Sequence, residues 1–240
     1  MKTLQILMIT LATLTGCNKK ASMNPGNSAD TVKTKTVAVD TISYLALGDS
    51  YTVGEAEPQS QSFPFQLVDS LSARSIAVHQ PNVIATTGWT TDDLIAGIAS
   101  AGISGKKFGF VTLLIGVNDQ YQQLSIDNYK VKFTQVLNEA VAFAGGDKRR
   151  VFVLSIPDWG VTPFAEGRDS VIYPQIMTFN AVNQSITQSM GISYINITDV
   201  SRTAANDPSL IAPDGLHFSG KMYAMWVALL APVVAAGLKK

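Results

Sequence analysis

Leu45-Ala46-Leu47-Gly48-Asp49-Ser50 is the stretch on which the reading of this chain turns: an apolar run of strand length stops at a glycine, and a carboxylate and a hydroxyl follow at once. A run without polar alternation is a strand buried on both faces, the habit of parallel sheets covered by helices. The pattern recurs downstream. Strands are expected at residues 43–48, 78–85, 109–115, 151–156 and 193–196, separated by helical segments at 65–74, 91–101, 126–144, 174–190 and 219–238. This rhythm predicts an α/β chain whose parallel sheet is covered on both faces. In such open sheets ligands bind beyond the carboxyl ends of the strands, so the residues just after each strand are the ones to read for chemistry.

Upstream of that stretch the chain changes character. Residues 1–17 read as an export signal: Lys2 supplies the positive start, an apolar stretch too short to span a bilayer follows, and Leu14-Thr15-Gly16-Cys17 ends it. Those four residues resemble the bacterial lipobox, which implies that Cys17 is lipidated and becomes the first residue of the mature protein. Cys17 is the only cysteine, so no intramolecular disulfide competes for its thiol. Asn18 in the next position implies, for a proteobacterial lipoprotein, sorting to the outer membrane. Residues 18–40 are polar and carry Pro25 and Gly26, the composition of a flexible tether. Residues 41–240 are left as one domain. The expectation is an exported bacterial lipoprotein of the cell envelope, at the outer membrane or periplasm, held to the membrane by its N-terminal lipid.

Composition excludes other classes. The chain is 46% hydrophobic and 15% charged, which supplies an ample core and rules out disorder throughout. Its 18 basic and 18 acidic residues balance, and Lys148-Arg149-Arg150 is the one basic cluster, read as a solvated turn, so no nucleic-acid partner is expected. The uncharged segment from Met222 to Gly237 falls just short of a membrane span and is read as a core helix. With only two histidines and scattered carboxylates, no zinc spacing exists and no metal or other cofactor is expected.

Four places after strands or before the last helix carry candidate chemistry. Ser50 ends the first strand, where its hydroxyl is a candidate nucleophile and its backbone N–H a candidate oxyanion donor, although a lone Gly-Asp-Ser also serves to cap a helix. The glycines match neither dinucleotide nor Walker spacing, and Tyr51 breaks the Asp-x-Asp of phosphoaspartyl enzymes. Asn118, in Gly116-Val117-Asn118-Asp119, follows the third strand and brings an amide donor that its neighbour Asp119 lacks; Asn-Asp is also a common turn pair. Gly88 follows the second strand and offers a bare backbone N–H, or is a plain loop glycine. His217 stands three residues after Asp214 in a short loop that lets the carboxylate orient the imidazole. His79 is read as structural. Together these are the parts of an acyl-transfer machine: nucleophile, base, orienting acid and oxyanion donors.

Gly48-Asp49-Ser50, Gly88, Gly116-Val117-Asn118-Asp119 and Asp214-Gly215-Leu216-His217, taken in order, resemble the four blocks of the GDSL-type esterases, the SGNH hydrolases, over residues 43 to about 236. The resemblance implies a three-layer α/β/α sandwich with a flavodoxin-like five-stranded sheet, and a serine esterase acting through an acyl-enzyme. It implies Ser50 as nucleophile, His217 as base, Asp214 as its partner, and an oxyanion hole from Ser50 N–H, Gly88 N–H and the Asn118 amide. A proline often follows the histidine in this family; Phe218 stands here, a change expected to loosen the loop slightly. The implied substrates are small-molecule, glycan or lipid esters, with carbohydrate O-acetylesterase, lysophospholipase and thioesterase as alternatives and a non-catalytic envelope binding protein as the rival from another class. Tyr51, Trp89, Tyr121, Trp159 and Phe164 fall in loops that either wall the substrate site or pack locally. The long connection 156–173 is read as part of that wall.

Overall fold

The computed structural model describes residues 41–239. The expected signal segment, Cys17 and the tether lie outside the described residues. Along the chain run β1 (Tyr44–Gly48), α1 (Ser50–Val53), α2 (Phe63–Ser72), β2 (Asn82–Ala85), α3 (Thr91–Ser100), β3 (Phe110–Leu114), α4 (Val117–Tyr121), α5 (Ile126–Phe143), β4 (Val151–Leu154), α6 (Asp169–Ser189), β5 (Ser193–Ile195), α7 (Thr198–Ser201) and α8 (Gly220–Leu238). Every pairing in the sheet is parallel, in the order β2-β1-β3-β4-β5.

That order follows from chain reversal. β1 to β2 steps one way and β1 to β3 the other, so right-handed crossovers place their helices on opposite faces. α2 packs with α8 on one face, and α3, α5 and α6 pack in succession on the other, which makes the three layers. β1, β3 and β4 are buried at every residue, as their unbroken apolar runs require. Gly48 pairs with Ala85 on one side and Leu114 on the other, so the chain leaves β1 and β3 at one rim. The direction of winding reverses between β1 and β3, and a crevice opens there.

Three sequence expectations shift. The second strand shortens to four residues: Pro81 has no N–H to give the sheet, and Val78 keeps only an isolated bridge to Ile42. His79 is exposed, with its backbone N–H on Ile42 O, so it is a surface residue in the segment leading to the edge strand. The helix expected from 174 begins at Asp169, with Pro174 inside it. The connection before it is correspondingly shorter and carries 3-10 turns at Trp159–Val161 and Pro163–Ala165. α8 is long and apolar enough to cross a membrane, yet Met222, Tyr223, Trp226, Leu230, Ala231 and Val234 are fully buried and it packs on α2, so it serves as a core helix.

Candidate active site

Gly48 is a glycine for reasons of space: a Cβ there would collide with the Thr52 side chain and the Leu114 carbonyl. Its φ lies outside the left-handed region, so close packing of α1 on the sheet, and not turn geometry, sets the residue. Asp49 caps α1, its Oδ1 accepting from Tyr51 N–H at 3.0 Å. Ser50 is then the first residue of the helix, where its own N–H has no intrahelical acceptor.

The four-residue α1, the α4 helix after β3 and the loop before α8 meet at one cavity of about 160 Å³. It is lined by Ser50, Tyr51, Val117, Asn118, Tyr121, Trp159, Phe164, Leu216 and His217. Thus a hydroxyl, an imidazole and an amide that lie far apart in the chain share one small chamber. Among the described residues the one hydrogen bond of the His217 ring is to Asp214, and none joins it to the Ser50 hydroxyl. A larger hollow of about 530 Å³, lined by Ile42, Arg74 and Pro232 among others, has neither a histidine nor a carboxylate in its lining.

His217 is held from behind. Its Nδ1 lies 2.6 Å from Asp214 Oδ2, while Asp214 Oδ1 accepts from the backbone N–H groups of Leu216 and His217, each at 3.0 Å. Burial pushes the Asp214 carboxyl up, but these hydrogen bonds together with the imidazole outweigh it and hold the group below the usual carboxylate range. An ionised Asp214 is acceptor only, so Nδ1 carries a proton and Nε2 is the nitrogen left to face the chamber chemistry. The loop itself is tied down by Ala212 N–H on His217 O (2.8 Å) and Ser219 N–H on Leu210 O (2.9 Å). Phe218, expected to loosen it, does the reverse: its buried ring packs on Tyr51 and Trp226 at 5.8 and 5.6 Å, so the histidine is stapled to the core.

Asn118 and Asp119 divide two tasks. Asn118 lines the cavity and spends one amide N–H on Trp89 O at 2.9 Å, leaving a second. Asp119 faces away, its Oδ2 accepting from Thr91 N–H and Oγ1 at 2.9 and 3.0 Å, which fastens α4 to the start of α3. Gly88 is not among the residues lining the cavity. It sits at φ +86° in the turn closed by Trp89 N–H on Thr86 O, one residue from the carbonyl that Asn118 grips. Nothing occupies the space a Cβ would enter there, so φ alone selects glycine.

Of the five candidate wall aromatics, Tyr51, Tyr121, Trp159 and Phe164 line the chamber; Trp89 instead packs over Gly97. Val117 and Leu216, flanking the motif residues Asn118 and His217, complete the lining and were signalled only by that adjacency. Gln120 was invisible in sequence. It fixes the Trp159 indole, accepting from Nε1 at 2.9 Å. Among the described residues no cluster of His, Cys, Asp and Glu has the composition to hold a metal.

A parallel sheet of order β2-β1-β3-β4-β5 covered on both faces defines a flavodoxin-like α/β fold. The chain belongs to the GDSL-like Lipase/Acylhydrolase family, whose description matches residues 46–225, and it is an enzyme that hydrolyses ester bonds. Its fold is shared with a lipase/acylhydrolase from Enterococcus faecalis (TM-score 0.64, 17% identity, 82% of this chain and 96% of that one). It is likewise shared with the psychrotrophic esterase EstA from Pseudoalteromonas sp. (0.62, 14%, 80% and 96%) and the acetylxylan esterase Axe2 from Geobacillus stearothermophilus (0.61, 16%, 84% and 96%). No curated protein sequence matches the chain.

Proposed function

We propose that this ester hydrolase works through Ser50, His217 and Asp214. His217 Nε2 takes the Ser50 proton as Oγ attacks the ester carbonyl carbon, and the tetrahedral oxyanion is held by Ser50 N–H, the free Asn118 N–H and Gly88 N–H. The C–O bond to the alcohol then breaks, and His217 returns the proton to the leaving oxygen. Water, deprotonated by the same imidazole, attacks the acyl-serine and releases the acid, restoring the Ser50 hydroxyl. Asp214 keeps its charge throughout and stabilises the imidazolium.

The observation that carries this reading is the convergence of Ser50, Asn118 and His217 on one chamber, with His217 braced at 2.6 Å by an ionised carboxylate. Gly88 does not line the chamber, and its share in the oxyanion hole is tested by its own substitution. Hydrolysis of p-nitrophenyl acetate tests the whole: Ser50→Ala is expected to fall to background and Gly88→Ala to lose activity with the fold retained. Undiminished turnover in Ser50→Ala would overturn the assignment.

The substrate is proposed to be a small-molecule or carbohydrate ester, in line with the acetylxylan esterase of like fold. We also propose that the enzyme is a lipoprotein of the cell envelope, tethered through Cys17 by residues 18–40. Cys17→Ala is expected to move it from the membrane fraction to the soluble one.

A further inference from the structure

The segment between β4 and α6 puts Trp159 and Phe164 into the chamber but belongs to no strand, so something else must set its place. Asp158, fully buried at its head, donates its backbone N–H to Ser201 Oγ at 2.9 Å and accepts from Gly160 N–H on Oδ1 at 2.8 Å. Its Oδ2 is taken by Arg202 Nη1. The same guanidinium reaches Asp169, the first residue of α6, with Nη1 on Oδ1 at 2.9 Å and Nη2 on Oδ2 at 3.2 Å, and it lies 4.0 Å over the Tyr173 ring. One planar fork thus joins both ends of the wall segment. Nη1 alone touches both carboxylates, so a lysine ammonium could bridge them, but it could neither add the Nη2 contact to Asp169 nor lie flat over the Tyr173 ring.

Between the clamped ends the wall is a packed aromatic set. Trp159 stands 5.6 Å from Tyr121 and 6.0 Å from Phe164, and its indole N–H is held by Gln120, which is held in turn by Gln175 at 2.7 Å. Behind this wall lies a second hollow of about 120 Å³, lined by Gln123, Arg168, Val171 and Gln175 among others. Tyr121 and Trp159 line both spaces, so they are the partition. The chamber in front holds about 160 Å³, well below the roughly 300 Å³ at which pockets begin to enclose a drug-sized ligand. Ser50 and His217 open on the same chamber as Tyr121 and Trp159, so the part of a bound ester that extends from the serine toward the partition is bounded by those two rings.

We propose that Arg202 is a specificity-determining positioning residue: by clamping Asp158 to Asp169 it keeps Trp159 closed as the end wall of the acyl site, restricting the enzyme to esters of short acyl groups, from acetyl to butyryl. The proposal rests on Ser50 and His217 being the catalytic pair. Its test compares kcat/KM for p-nitrophenyl acetate, butyrate and octanoate, beside acetate esters of small and bulky alcohols, in the wild type, Arg202→Gln, Arg202→Lys, Asp169→Asn and Trp159→Ala.

In the wild type octanoate is expected to fall at least about tenfold below butyrate, since even a single misplaced methylene costs that much in a fitted pocket. Arg202→Gln and Trp159→Ala should raise the octanoate-to-acetate ratio about tenfold, Asp169→Asn less, and Arg202→Lys should restore the wild-type ratio only in part. Asp169→Asn and Trp159→Ala leave no buried carboxylate unpaired, so they carry the test if Arg202→Gln does not fold. Loss of activity in equal proportion at every chain length, a wild type that prefers octanoate, or variants that change alcohol preference alone would overturn the proposal. Failure of Ser50 to react with a small fluorophosphonate would instead sink the catalytic reading beneath it.

Discussion

Two aspartates sit beside proposed catalytic residues, and their surroundings push them in opposite directions. Asp214 gathers three hydrogen bonds around His217 and is held below the usual carboxylate range. Asp49, next to Ser50, is sealed in the core with one hydrogen bond to Oδ1 and no partner for Oδ2 among the described residues; burial pushes it up to about 8, against the Tyr51 N–H and with help from the charge of Asp119. Asp119, beside Asn118, lies between them: burial raises it although Thr91 gives it two hydrogen bonds. The number of donors aimed at a carboxylate, weighed against its desolvation, decides which aspartate is the working anion. Nearness to a motif residue does not.

Substitutions sharpen this contrast in descending order of effect. Asp214→Asn is expected to cut kcat about 10⁴-fold, because an amide no longer enforces the Nδ1–H tautomer. Steady-state kinetics with folding checked by circular dichroism measures it, and a loss of less than about tenfold would mean that Asp214 does not orient the base. Asn118→Ala should lower kcat by about 10²- to 10³-fold with little change in KM, since the donor acts on the oxyanion and not on the bound ester.

Asp49→Asn should do something different in kind. The folded state keeps the Asp49 proton up to about pH 8, whereas the unfolded chain releases it near 3.9. Stability is therefore lost as pH rises from about 4 to about 8, by at most about 1.4 kcal/mol per pH unit, and is flat above. Asparagine keeps the cap to Tyr51 N–H and has no charge to bury. Urea melts from pH 4 to 8 should show the variant gaining on the wild type as pH rises, and parallel curves would contradict the sealed-in protonated carboxyl. The smallest effect belongs to the surface, where Asp147 is held at about 2 by its hydrogen bond to Arg149. Its contribution is present above the ordinary aspartate range and fades as pH falls toward 2. The pair is exposed and screened, so Arg149→Ala should leave Tm at neutral pH unmoved.

Much of this was readable from the residues. Buried parallel strands announce themselves as unbroken apolar runs, so β1, β3 and β4 lie within one or two residues of the expected strands, whereas the strand order followed only from the family resemblance. Pro81 trims β2, and α6 runs through Pro174 back to Asp169, which Arg202 holds from 33 residues away in the chain. Pair contacts of that kind leave no periodic trace. The same limit hid Gln120 behind Trp159 and reversed the expectation for Phe218, whose staple depends on Trp226 in α8.

The central claim is that Ser50 is the nucleophile, activated by His217. Treating the intact protein with a fluorophosphonate and mapping the adduct by peptide mass spectrometry tests it most directly. The account predicts one adduct on Ser50, absent in Ser50→Ala and formed far more slowly in His217→Ala. An adduct on another residue, or labelling of Ser50 at the same rate without His217, would contradict it.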